Sequence, residues 1–320
     1  MSALRVGIAV VAAALLLPAC TNNAPEPDPT PAPRPTATAS STEPASPTPT
    51  PPPPTFDVAR VRADIRHLAR EVGPRHGTSD AHREAAEWVE QRFTELGYTV
   101  ANQQVDVPAG TSWGIRVPAG TAPNVIASPP GFDDAVPHRI VGAHLDTVPQ
   151  APGAEDNASG VAVMLEVARV YAGSERPVRF IAFTSEEPRG PGDNLHHFGS
   201  RAYVKRLDGQ ERDAMRAMVS LDRVGVRGPA VPLCTGGLGT LRVRGQLAAA
   251  ARDAHVPTSL CNDNRASDHR SFERENLRAA RIGSIPFAAY HSARDLPRVV
   301  DDRQLERVGA IMTTWLRPDS

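Results

Sequence analysis

The segment Val178-Arg179-Phe180-Ile181-Ala182-Phe183-Thr184 runs almost without polar residues and ends abruptly on Ser185-Glu186-Glu187. An apolar run of that length with no period-two alternation reads as a β-strand buried on both faces, as in a sheet covered by helices on each side. Other runs on either side of it in the chain read as further strands, at 98–107, 124–128, 139–143, 218–221 and 279–283. Helical periodicity marks 58–71, 79–96, 160–171, 241–255 and 304–316, with Ser79 as an N-cap and Gly97 as the stop of the second helix. Strands alternating with helices predict an α/β fold. The expected form is a three-layer αβα sandwich around a twisted, mixed, mostly parallel sheet.

The domain occupies only part of the 320 residues. Residues 1–20 carry one positive charge, Arg5, then an apolar run over 6–17 that is short for a membrane span and fits a signal peptide. The run ends in Leu17-Pro18-Ala19-Cys20, which resembles a bacterial lipobox and predicts lipid attachment at Cys20. Ordinary signal cleavage and an uncleaved anchor are the alternatives. Residues 21–55 are rich in Pro, Thr, Ala and Ser and hold 13 of the 32 prolines, so they bury too little apolar surface to offset ordering entropy. They read as a disordered, extended tether, which leaves 56–320 as one catalytic-sized domain at the outer face of a membrane or secreted. The formal net charge of −1 gives no basic surface for nucleic acid. In an exported protein Cys234 and Cys261 suggest a disulfide, two buried thiols being the alternative.

Several strand ends run directly into metal-competent residues. The run 140–143 leads into His144-Leu145-Asp146, the segment quoted above into Glu186-Glu187, and 218–221 into Asp222, while Asp156 stands just before the helix at 160. In α/β sheets ligands bind in the crevice beyond the carboxyl ends of the strands, so these side chains are candidates for one site. His144 and Asp146 lie two apart in extended chain and can face one side, with Asp146 accepting a hydrogen bond from the free ring nitrogen of His144. Adjacent glutamates in extended chain point apart, so one can bind metal while the other moves a proton. Taken singly, each has an ordinary alternative as a solvated loop acid or a surface histidine; joint placement after buried strands is what argues for a site.

Seven segments carry a family resemblance: His144-Leu145-Asp146-Thr147-Val148, Glu155-Asp156-Asn157-Ala158-Ser159-Gly160, Thr184-Ser185-Glu186-Glu187, Gly199-Ser200-Arg201-Ala202-Tyr203, Ser220-Leu221-Asp222, Ser267-Asp268-His269 and Tyr290-His291-Ser292-Ala293-Arg294-Asp295. In this order they resemble the co-catalytic zinc aminopeptidases of clan MH, typified by secreted bacterial leucine aminopeptidases and aminopeptidase Y. The resemblance implies two Zn2+ per chain: one on His144 and Asp222, the other on Glu187 and His291, with Asp156 bridging. It implies peptide hydrolysis by a water between the metals, Glu186 as general base and acid, and Tyr290 as a donor to the oxyanion. Asp146 and Asp268 would support the ligands from behind, and the Asp156–Asn157 peptide would be cis. Peptides are the implied substrates and a monomer the expected state.

Two departures leave specificity open. The Glu187-to-Gly199 connection is longer than in many relatives, and its His196-His197 pair reads as loop surface. Arg223 follows Asp222 where aminopeptidases commonly carry an apolar residue, and a cation there would repel an amine or attract a carboxylate. A glutaminyl-peptide cyclotransferase with one working zinc, a carboxypeptidase or dipeptidase, and a non-catalytic surface binding module are the competing readings.

Overall fold

The computed structural model describes residues 54–317, Glu175 excepted. The expected signal peptide, Cys20 and nearly all of the expected tether therefore lie outside the described residues. The chain runs through α1 (Val58–Arg66), α2 (Asp80–Glu95), β1 (Thr99–Val107), β2 (Gly110–Ser112), β3 (Ile115–Val117), β4 (Gly120–Ser128), β5 (His138–His144), α3 (Ser159–Tyr171), β6 (Val178–Phe183), α4 (Phe198–Arg206), α5 (Gly209–Ala214), β7 (Met215–Asp222), β8 (Val231–Cys234), α6 (Arg242–Asp253), β9 (Thr258–Cys261), α7 (His269–Arg274), β10 (Ala279–Gly283) and α8 (Asp302–Leu316). Eight strands form one sheet in the order β1-β4-β6-β5-β7-β10-β8-β9. Its centre, β6-β5-β7-β10, is parallel; β1, β4 and β8 pair antiparallel, and β9 joins β8 in parallel.

β6 shows why its sequence lacks alternation. Val178, Phe180 and Ala182 pack in the larger core with α1, α2, α3, α6 and α8, whereas Ile181 and Phe183 pack in a second core with Tyr203 of α4 and Phe272 of α7. Both faces are covered, as expected of a three-layer αβα sandwich. Arg179, the one charge in this run, donates to Ser128 Oγ at 3.0 Å and Tyr203 Oη at 3.1 Å. Ser79 caps α2 by accepting from the His82 amide, and Gly97 ends it with φ +86°, a conformation open to glycine. The first helix is shorter than its periodicity predicts: after Arg66 the turn widens over His67–Val72, and the Gly73 amide donates to the Leu68 carbonyl five residues back.

The hairpin β2–β3 and the strands β8 and β9 escape the sequence reading because they are three or four residues long, and β8 contains Pro232. Cys234 and Cys261 end these last two strands in register and are joined by a disulfide, with their Cα atoms 4.6 Å apart. Among the described residues no helix is long and apolar enough to cross a membrane.

Candidate metal centre

The parallel centre of the sheet delivers the side chains. His144 is the last residue of β5 and Asp222 the last of β7, while Glu186 and Glu187 follow the end of β6. Asp156 lies in the tight turn before α3, and His291 in the connection from β10 to α8. These segments bring together two groups of potential ligands, His144-Asp156-Asp222 and Asp156-Glu187-His291, each with donor atoms within 4.8 Å of one another and all buried. Asp156 belongs to both. Its Oδ1 is 3.3 Å from His144 Nε2 and its Oδ2 3.0 Å from His291 Nε2. Asp222 Oδ1 is 3.8 Å from His144 Nε2, and Glu187 Oε1 is 3.1 Å from His291 Nε2.

The electrostatics fit divalent cations. Three carboxylates buried this close together are costly unless positive charge compensates them. Burial pushes the Glu187 carboxyl up to about 8 despite the pull of His291. Burial would raise Asp156 and Asp222 as well, but the two imidazoles around Asp156, and Arg281 with His144 beside Asp222, hold both below the usual carboxylate range. Burial lowers His291, yet the Glu187 and Asp156 carboxylates outweigh it and carry the ring up to about 10. Protons on the imidazoles and a metal ion thus compete for the same carboxylates. The donor set of imidazole nitrogen and carboxylate oxygen suits zinc.

The supporting contacts depart in one respect from the sequence expectation. His144 Nδ1 lies 3.1 Å from the main-chain carbonyl of Asp146 and 3.7 Å from its carboxylate. The carboxylate instead accepts the amides of Glu186 at 2.9 Å and Glu187 at 3.1 Å. Asp146 therefore clamps the turn that carries both glutamates, a turn that requires Ser185 at φ +49°. Asp295, unassigned from sequence although it closes a quoted segment, accepts the amides of Glu155 and Asp156 at 2.8 and 3.1 Å. The Asp156–Asn157 peptide is cis. The Asn157 side chain ties this turn to β7 by donating to the Leu221 carbonyl and accepting from the Gly160 and Arg223 amides. A Cβ on Gly160 would lie 2.3 Å from the Leu221 carbonyl oxygen, so the first turn of α3 can pass β7 this closely only with glycine there.

Two buried arginines are further supports that sequence reasoning missed. Arg281 Nη2 is 2.9 Å from Asp222 Oδ1, and an arginine inside an apolar strand was a readable sign of a buried partner. Arg75 donates to the carbonyls of Leu68, Gly73, Leu145, Pro152 and Gly153, bracing the loops beneath the site, and nothing in its local sequence signals that. Asp268 is fully buried and joins neither ligand group; burial and then the charge of Glu186 push its carboxyl up to about 7.

The long connection after Glu187 leaves and returns beside the site. His197, Phe198 and Gly199 amides donate to the carbonyls of Glu186, Ser185 and Thr184. This return corrects the reading of His197 as loop surface: it is 7% exposed, with Nε2 3.1 Å from Glu186 Oε1. The excursion docks on the β2–β3 hairpin, where Thr111 donates to the Arg189 carbonyl at 3.0 Å and Arg189 donates to the Pro118 carbonyl. A Cβ on Gly110 would overlap the Arg189 carbonyl oxygen. The hairpin tip places Trp113 edge-on to His291, 4.4 Å between centroids, and Tyr290 stacks on the same imidazole at 3.6 Å. Together these parts wall a cavity of about 400 Å³ over the ligands.

The chain is similar to several known proteins. The model of the family described as Peptidase family M28 matches residues 124–316. Aminopeptidase YwaD of Bacillus subtilis is 45% identical over 87 residues, 27% of this chain and 18% of YwaD. The chain spans less than half the length of the curated relatives it matches first. The solved structure of BSAP, a zinc aminopeptidase from Bacillus subtilis, superposes with a TM-score of 0.72 at 19% identity, covering 83% of this chain and 95% of that one. A glutaminyl cyclase of Bacteroides thetaiotaomicron superposes with 0.68 at 20% identity, covering 83% and 99%, so the fold likeness alone does not separate the two chemistries.

Proposed function

Because the chain belongs to peptidase family M28, we propose that it is a zinc-dependent exopeptidase. In this reading it is exported, anchored through Cys20, active as a monomer, and releases N-terminal residues from peptides. The observation that carries the reading is the sharing of Asp156, whose two oxygens face two different imidazoles at 3.3 and 3.0 Å. One zinc is assigned to His144, Asp156 and Asp222, the second to Asp156, Glu187 and His291. Bound there, the ions would polarise a peptide carbonyl and lower the pKa of a water molecule.

The chain's own groups do the remaining work. Glu186 belongs to neither ligand group and lines the cavity, so its carboxylate is available to take a proton from water and pass it to the departing amine. Asp146 holds the Glu186 amide and fixes where that carboxylate starts from. Tyr290 lines the cavity beside His291, and its phenol can donate to a carbonyl oxygen as that oxygen gains charge.

The test is hydrolysis of aminoacyl anilides and their N-acetylated counterparts, with and without chelator, on protein of measured zinc content. Two zinc per chain and chelator-sensitive release from free N-termini only are expected. Equal cleavage of blocked substrates, or cyclisation of N-terminal glutamine in place of hydrolysis, would overturn the assignment.

A further inference from the structure

Resting on the exopeptidase reading, we infer that Arg223 receives a substrate carboxylate, so that the preferred peptides carry an acidic group beside the scissile bond. Arg223 follows directly on the ligand Asp222 and lines the cavity over the metal groups. It is the only arginine or lysine among the described residues that line this cavity, whose other charged groups are the carboxylates and imidazoles of the site. A guanidinium in that position attracts a carboxylate.

Neutralising Asp222 does not account for it. Arg281 lies 2.9 Å from Asp222 Oδ1 with its side chain fully buried, whereas Arg223 reaches the same oxygen only through Nε at 3.7 Å. The Arg223 guanidinium lies 4.6 Å from the centroid of the Tyr290 ring, which steadies its plane. Its side chain is 12% exposed, and among the described residues its terminal nitrogens donate no hydrogen bond. A partly buried, planar fork with open donors matches the two oxygens of a carboxylate. The main chain holds it there: Arg223 has φ +55°, and its amide donates to Asn157 Oδ1 at 3.2 Å.

The carboxylate can come from an acidic N-terminal side chain or from the C-terminus of a short peptide, and two matched pairs distinguish them. Glutamyl against glutaminyl anilide tests the side chain; leucylglycine against leucylglycine amide tests the terminus. The zinc-loaded protein should favour the carboxylate-bearing member of one pair by about ten- to a hundredfold in kcat/KM, the range of a hydrogen-bonded charge. Arg223→Met should bring that ratio close to one, and Arg223→Lys should keep part of it. Parity within both pairs in the wild-type protein overturns the inference and leaves the exopeptidase reading standing, whether or not the variants fold. Survival of the preference in Arg223→Met does the same. Absence of chelator-sensitive hydrolysis from every substrate overturns both.

Discussion

Replacing Asp146 with asparagine tests what this carboxylate does. The change is nearly isosteric and leaves an oxygen that can still accept from an imidazole. If Asp146 served only to accept from His144, the asparagine oxygen could still accept and the melting temperature would change little. The structure gives it a different role, in which two oxygens accept the Glu186 and Glu187 amides at 2.9 and 3.1 Å, in a position 1% exposed. An asparagine must turn its NH2 toward one of those amides. One charge-assisted hydrogen bond, about 1.5–3 kcal/mol, is lost, and one buried N–H is left without an acceptor at about 1–3 kcal/mol more. The lower part of that range, about 3 kcal/mol, lowers the melting temperature by about 6–12 °C in a domain of this size. If a similar amount falls on the placement of Glu186, kcat/KM drops about a hundredfold. Differential scanning calorimetry and steady-state hydrolysis of a leucyl anilide measure the two effects. An Asp146→Asn protein that melts within about 2 °C of wild type and keeps kcat/KM within about twofold refutes the amide clamp.

Three further outcomes are expected. Glu186→Gln should lower kcat by about 10²–10⁴-fold and His197→Ala by about tenfold, both at unchanged zinc content measured by atomic emission, because His197 touches the proton carrier and no ligand; loss of metal from His197→Ala would contradict this. Burial holds the His82 imidazole down at about 4, against an ordinary 6.5. A base depressed in the fold contributes stability above its unfolded pKa and loses it as pH falls toward the folded one. Zinc-free protein should therefore lose about 2 kcal/mol from this group between pH 7 and pH 5. Urea titrations of wild type and His82→Gln at both values should differ by that amount, and equal losses would count against it. Removing the Cys234–Cys261 bond, with its sequence separation of 27, should cost about 3.5 kcal/mol through the freed unfolded chain. Guanidinium unfolding of the double alanine variant reads this, and an unchanged midpoint would mean the bond constrains little.

The parts legible in the sequence were those governed by local pattern. β6 announces two covered faces because both of its sides are apolar, and His144, Glu187 and Asp222 stand out as candidate ligands because parallel strands end together at one edge. The supports were not legible in the same way. Arg75 reaches carbonyls as far away as Gly153, and Asp295 holds amides more than a hundred residues earlier in the chain. No local period encodes such contacts. The spacing of Asp146 and His144 on one side of an extended segment predicts a contact between them. That spacing said nothing of the amides of Glu186 and Glu187, which only the packing of β6 beside β5 brings near. His197 reads as surface in the sequence because it lies in a connection rich in glycine and proline. The Gly199-Ser200 segment after it was the usable sign, since a fixed return point also fixes the residue before it.

The docking of the 188–198 excursion on the β2–β3 hairpin bears on inheritance and engineering. One carbonyl, that of Arg189, meets the hairpin so closely that Gly110 can carry no side chain, and the same hairpin holds Trp113 over His291. The two segments lie far apart in the chain but form one mechanical unit, so a length change in either alone would strand its partner. Grafting the excursion from a shorter-looped relative should therefore shift the aromatic wall of the cavity, and loop libraries built to alter specificity should vary both pieces together.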